Sequence, residues 1–192
     1  TRGLGLNSGH TLTLLGTSTW SAGGGAISGG VFNGSLVNSL GATFTDEGGA
    51  APNATKTLHS SFGEGSFVNA GTYNRNGLGT TLVFGLDNTG TININSGTLR
   101  FSNSGQSSGT INVASGARLF LDSANSTAPL KGTLSGQIIN AGAVELGRGT
   151  FRMAADLSIN GEVKLIGDGS LVNDSTNTLT SLTVAGGSLS GN

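Results

Sequence analysis

The sequence predicts an all-β chain wound as a right-handed parallel β-helix, a β-solenoid of about 19 residues per coil with three short strands in each. Three observations predict it. Glycines recur at a fixed 19-residue interval, short alternating apolar runs lie between them, and no stretch carries a helical stripe.

The interval shows in two motifs. Gly-[Ser/Gln]-apolar-[Val/Ile]-Asn occurs at Gly34–Asn38, Gly65–Asn69, Gly136–Asn140 and Gly169–Asn173. Gly-Thr followed by an apolar residue begins at Gly71, Gly90 and Gly109, with related forms at Gly142 and Gly161. Gly71 to Gly90, Gly90 to Gly109 and Gly142 to Gly161 are each 19 residues apart. A second apolar pair follows the first four of these glycines, Leu82/Phe84, Leu99/Phe101, Leu119/Leu121 and Phe151/Met153, and Leu171 follows Gly161 without a clear apolar partner. A third strand ends at the asparagine, as in Leu157–Asn160.

A strand of four or five residues points alternate side chains to opposite faces. In Thr91-Ile92-Asn93-Ile94 both isoleucines share one face. One unit cannot bury that face alone, whereas units stacked at ~4.8 Å bury a continuous column. With the glycines aligned, Ile92, Ile94, Ile111, Val113, Val144, Leu146, Val163 and Leu165 form one inward column, and Glu145 lies over Lys164. The glycines are expected at sharp corners, often at positive φ. Asn69 and Asn88 are expected to stack as a ladder. A helix interrupted so often by glycine would lose about 1 kcal/mol at each.

The rhythm breaks twice. Asn38 to Asn69 spans 31 residues and Gly109 to Gly142 spans 33, and each interval holds one of the two prolines, Pro52 and Pro129. Insertions in a solenoid emerge as flanking loops, which often carry function. They are placed at about 46–65 and 122–136.

Composition narrows the function. Only 10% of residues are charged, 35 of 192 are glycine and the net charge is -1. Nothing here is the basic footprint of a nucleic-acid or anionic-membrane binder. Cysteine is absent, which excludes disulfides and thiolate metal sites. No run of 18 apolar residues supplies a helical membrane span. The chain, read as one solenoid domain over 1–192, opens without a signal peptide on patterned sequence and reads as a piece of a longer repeat protein.

The runs NTGTININSGTLRF at 88–101 and GTINVASGARLFL at 109–121, with the 19-residue unit, resemble the secreted β-helices of the filamentous-haemagglutinin and autotransporter-passenger type. The resemblance extends over about 16–187, including Trp20, 27–30 and 33–36. It implies an extracellular protein on a Gram-negative cell surface, used for attachment, aggregation or presentation of another domain. The Asn-Pro-Asn runs of that family's secretion domain and its C-terminal barrel have no counterpart here, so the segment corresponds to mid-passenger.

Candidate chemistry is sparse. Polysaccharide-cleaving β-helices need converging carboxylates. Here Asp46-Glu47 is the one adjacent pair, and Glu64, Asp122, Asp156, Asp168 and Asp174 read as solvated turn acids. His10 and His59 have no neighbouring ligands in sequence. Gly23-Gly24-Gly25 lacks the following helix of a dinucleotide fingerprint. Thr72, Thr91 and Thr110 form an outward row that the glycine alignment continues as Ala143 and Glu162, a poor ice-binding surface. Trp20 reads as a core cover, Tyr73 as packed and Phe120 as outward beside the second insertion. No catalytic, cofactor-binding or metal-ligating residue is assigned, and no cofactor is expected. The reading is a structural and adhesive stalk whose partner is a host or bacterial surface glycan or protein, or another copy of itself, with no nucleic acid and no membrane insertion. The alternatives are a carbohydrate-active β-helix enzyme and a glycan- or ice-binding module.

Overall fold

In a computed structural model, residues 9–21, 34–49, 51–58, 66–122 and 131–191 are described, without the side chains of 103, 104 and 131. They form twenty strands and no helix. Every strand pairing is parallel, and one isolated bridge, Gly49 to Leu78, is antiparallel. The chain is a parallel β-helix built from repeated coils.

Three ladders run along its axis. The first begins Thr11–Leu14, Ser35–Asn38, Phe67–Asn69 and continues through 86–88, 105–107 and 132–134 to Ser188–Gly191. The second joins Thr17–Trp20, Thr43–Asp46, Thr72–Arg75, Thr91–Ile94, Thr110–Val113, Gln137–Asn140 and 158–160. The third joins Thr55–Leu58, 80–83, 98–102, Arg118–Leu121, Ala143–Leu146, 162–165 and 181–184. Nine levels of the first ladder at ~4.8 Å make a rod about 40 Å long.

Alternation sends one side of every strand inward. Ile92, Ile94, Leu99, Ile111, Leu119 and Leu165 are all fully buried. Asn38, Asn69 and Asn88, equally buried, close the first ladder with a side-chain chain: Asn38 donates to Asn69 at 2.7 Å, Asn69 to Asn88 at 2.7 Å, and Asn88 to Ser107 at 3.0 Å. Asn38 and Asn69 also reach past the corner to the carbonyls of Thr72 and Thr91. The asparagine in the repeat thus satisfies a corner carbonyl and the next coil together.

Positive φ is found as expected at corner glycines such as Gly97, Gly116 and Gly136, but four of the repeat glycines are needed for a different reason. Gly71, Gly90, Gly109 and Gly142 are absent from the positive-φ glycines, which include Gly161. A Cβ on Gly90 would lie 2.2 Å from the Gly71 carbonyl oxygen, and one on Gly109 would lie 2.0 Å from that of Gly90. Successive corners stack backbone on backbone with no room for a side chain. Gly90→Ala should therefore cost about 1–3 kcal/mol through overpacking, read as a lower midpoint in urea unfolding. An unchanged midpoint would contradict this stacking.

The register bears out one expectation and corrects five. Glu145 does lie beside Lys164 at the same outward site one coil away. The single apolar column, however, is two: Ile92, Ile94, Ile111 and Val113 belong to the second ladder, while Val144, Leu146, Val163 and Leu165 belong to the third. Leu82 points outward because Val83 and Thr81 take the inward sites opposite Phe101 and Leu99. Phe151/Met153 belong to the first ladder, over Leu134. The insertions are also not plain loops, since Thr55–Leu58 and Lys131–Leu134 are ladder strands inside them. The interval Gly109 to Gly142 joined different corners. Thr110 actually pairs with Gln137. Residues 59–65 and 123–130 lie outside the described residues, as do His59, Glu64, Pro129 and Gly23-Gly24-Gly25.

Candidate functional site

Outward residues of the second ladder make an uncharged face. One column reads Thr17, Thr43, Thr72, Thr91, Thr110, Gln137 and Ser158. Beside it run Thr19, Thr45, Asn74, Asn93, Asn112, Ile139 and Asn160. Asn93 donates to Asn74 at 2.8 Å and Asn112 to Asn93 at 2.7 Å, which holds that column in register. The threonine row is thus five long and meets neither Ala143 nor Glu162, which belong to the third ladder.

The third ladder, unlike the second, carries outward charges. Its column reads Thr57, Leu82, Arg100, Phe120, Glu145, Lys164 and Thr183. Phe120 does face outward, half-buried between Arg118, 4.2 Å from the ring centre, and Arg100 at 5.5 Å. Cations over the ring faces stabilise it there. Arg118 Nε donates to Glu145 at 2.7 Å, while Lys164 pairs with Glu162 at 3.4 Å. Glu145 and Lys164 therefore share a face without pairing to each other.

Asp122 is not a solvated turn acid. It is buried, ion-paired with Arg100, and accepts from the backbone N–H of Arg148 at 3.0 Å and from its Nε at 3.1 Å. Burial alone would raise its pKa, but the Arg148 hydrogen bonds and the Arg100 charge bring it below the ordinary carboxylate value. Asp156, Asp168 and Asp174 are exposed, as expected, and Asp174 pairs with Arg152 at 2.6 Å. His10 is exposed, and its carbonyl accepts from Ser35 at 2.8 Å. Among the described residues no group of three or more His, Cys, Asp or Glu could hold a metal ion.

A polar cluster lies inside the solenoid. At the inward site filled by Ile94 and Val113 in later coils, the preceding coils carry Asp46 and Arg75. Lys56 and Thr81 occupy the inward third-ladder site that Leu99 and Leu119 fill later. All four are buried, with Asp46 and Arg75 at 0% exposure and Lys56 at 2%. Asp46 Oδ1 accepts from Lys56 Nζ at 2.8 Å and from the Gly48 N–H at 2.8 Å. Its Oδ2 accepts from Tyr73 Oη at 3.1 Å and Thr81 Oγ1 at 2.5 Å, with Arg75 Nε at 3.6 Å. Lys56 also donates to the Trp20 carbonyl at 3.1 Å and sits 3.9 Å from the Trp20 ring centre. Trp20 and Tyr73 thus join the core, and Glu47, the neighbour of Asp46, faces solvent.

Arg75 closes the corner. Its guanidinium donates to the carbonyls of Asn76 at 3.1 Å, Gly77 at 2.9 Å, Leu78 at 2.8 Å and Gly79 at 2.8 Å. Phe44, Phe67 and Tyr73 stack beside it with ring centres 5.3–6.1 Å apart.

Burial, then the Asp46 charge, push the Tyr73 phenol well above its ordinary value, against a smaller lowering by Arg75. The sign for stability follows. Above about pH 10 the unfolded chain gives up this proton and the folded chain keeps it, so stability falls as pH rises. The slope should be about 1.4 kcal/mol per pH unit. Tyr73 is the only tyrosine, so phenolate absorbance reports it alone. Ionisation at the free-tyrosine pH without unfolding would refute the burial.

No family model matches the chain, and no curated protein and no solved structure matches it either.

Proposed function

We propose that the chain is a structural and adhesive stalk segment of a large secreted bacterial surface protein, working outside the cell. Its partner would be a surface glycan or protein, or another copy of the chain. The observation that supports this is the stacking of successive coils on one axis around one core, which makes a stiff spacer. In a repeat stack each coil rests on its neighbours, so length adds without a new core design. The test is retention of beads coated with the chain on bacterial cells, on host glycans and matrix proteins, and on surfaces bearing the chain itself. Retention several-fold above albumin-coated beads on one of these is expected, and equal retention on all would refute adhesion.

A binding module is a second reading, favoured by the five-threonine row beside Thr19, Thr45, Asn74, Asn93 and Asn112. Hydroxyl and amide groups repeat there at ~4.8 Å along the axis, a regular polar surface suited to an ordered glycan or ice. Thr91→Lys would break it at its centre. Loss of glycan retention or of ice-growth inhibition in that variant would carry this reading, and indifference in both would remove it.

A further inference from the structure

The buried cluster holds an amine and a carboxyl group in contact inside an aromatic-walled core. We propose that Lys56 and Asp46 join covalently there, forming an amide between Lys56 Nζ and Asp46 Cγ, an intramolecular cross-link. This goes beyond the stalk reading and does not depend on it.

The geometry supplies what the condensation needs. Nζ lies 2.8 Å from Oδ1, about one bond length short of the carboxyl carbon, and both side chains are held by buried partners. Such fixed contact replaces an encounter in solution, an advantage worth effective molarities of about 10⁵ M or more. The proton on the 2.8 Å hydrogen bond passes from Nζ to Oδ1, leaving a free amine and a carboxylic acid. The amine lone pair attacks Cγ and a C–N bond forms, while the C=O electron pair moves onto Oδ2. A second Nζ proton passes to Oδ1, the C–Oδ1 bond breaks and water leaves. Oδ2 regains its double bond, and no electron is gained or lost overall.

The charge that develops on Oδ2 has its donors already in place. Tyr73 and Thr81 hydroxyls donate to that oxygen, and Arg75 Nε, otherwise without an acceptor, faces it at 3.6 Å. Donors aimed at a developing oxyanion are the usual source of rate in acyl chemistry. The raised phenol pKa keeps Tyr73 a donor at neutral pH. The step also relieves the core, because an ion pair away from water pays desolvation on both charges and an amide pays neither. Arg75 keeps its charge, held by the four carbonyls of 76–79. The product ties a strand of the second ladder to one of the third within the first insertion. A stalk under tension would then be unable to unravel between 46 and 56.

Mass spectrometry of the chain under denaturing conditions tests this. Trypsin cuts after Arg2, Lys56 and Arg75 in an unlinked chain, giving peptides 3–56 and 57–75. The linked chain is expected to be lighter than its sequence by one water. It should resist cleavage at Lys56 and yield a single 3–75 peptide whose fragments join Asp46 to Lys56. Lys56→Arg keeps a cation opposite Asp46 but has no amine to condense, and should show its full sequence mass. Full mass in the unaltered chain, cleavage after Lys56, or a water deficit that maps elsewhere or survives in Lys56→Arg would each overturn the cross-link.

Discussion

Replacing Arg75 with alanine should destabilise the chain by at least about 3–5 kcal/mol, the cost of removing one partner from a buried charge network. Arg75 has no exposed surface, and its terminal nitrogens hold the carbonyls of 76–79. Without it those carbonyls face an empty site, and each unsatisfied buried acceptor adds about 1–3 kcal/mol if water cannot enter. The lost volume adds a cavity cost. Arg75→Lys should rescue little, because one ammonium cannot span acceptors that a planar fork reaches together. Arg75→Met restores volume without donors and separates the two contributions. Urea unfolding of the three variants measures this, and a loss below about 1 kcal/mol in Arg75→Ala would mean that the corner stands without the guanidinium.

The fold was legible because its period is imposed by one corner. Asn-x-Gly-Thr at 69–72 and 88–91 combines a buried amide, a glycine under a neighbouring carbonyl and the first outward threonine. Each residue type there answers a separate physical demand, so the motif recurs. The same logic caused the register error. Asn140-Ala141-Gly142 looks like Asn69-Ala70-Gly71, and a Cβ on Gly142 would lie 2.3 Å from the Ala114 carbonyl. Yet Asn140 ends a strand of the second ladder and Asn69 one of the first. Crowding at a corner selects glycine without saying which corner it is.

The buried cluster was less legible for a related reason. Asp46, Lys56 and Arg75 lie on three different strands, and Lys56 falls inside the first insertion, so the repeat spacing does not bring them together. The signal that could have found Asp46 and Arg75 is parity. Thr-Tyr-Asn-Arg at 72–75 aligns with Thr-Ile-Asn-Ile at 91–94 and puts Arg75 on an isoleucine site. Thr-Phe-Thr-Asp at 43–46 does the same for Asp46. A charge at an inward position of a repeat demands a partner inside. The outward charges at 100, 118, 145 and 148 answer no such demand, which is why Asp122 read as a solvated acid until the fold brought Arg100 and Arg148 to it.

Ile111→Asp should be equally disruptive, by a different route. Ile111 is fully buried between Ile92 and Ile138, with no cation on either neighbouring coil of its column. An aspartate there is a charge without a partner in an apolar stack, unlike Asp46, which meets Lys56, Arg75, Tyr73 and Thr81. With the carboxyl neutralised by a proton the loss should be about 4 kcal/mol, from the missing apolar surface and a poorly paired polar group, and at neutral pH the cost of taking up that proton adds to it. The total should shrink towards that figure as pH falls to the ordinary carboxylate range, because protonation then costs nothing extra. Asn112→Asp, one residue on, points outward and gives up a single hydrogen bond to Asn93, about 1 kcal/mol. The contrast between adjacent positions tests alternation directly. Similar melting temperatures for the two variants would place residue 111 on the outer face and undo the register of the second ladder.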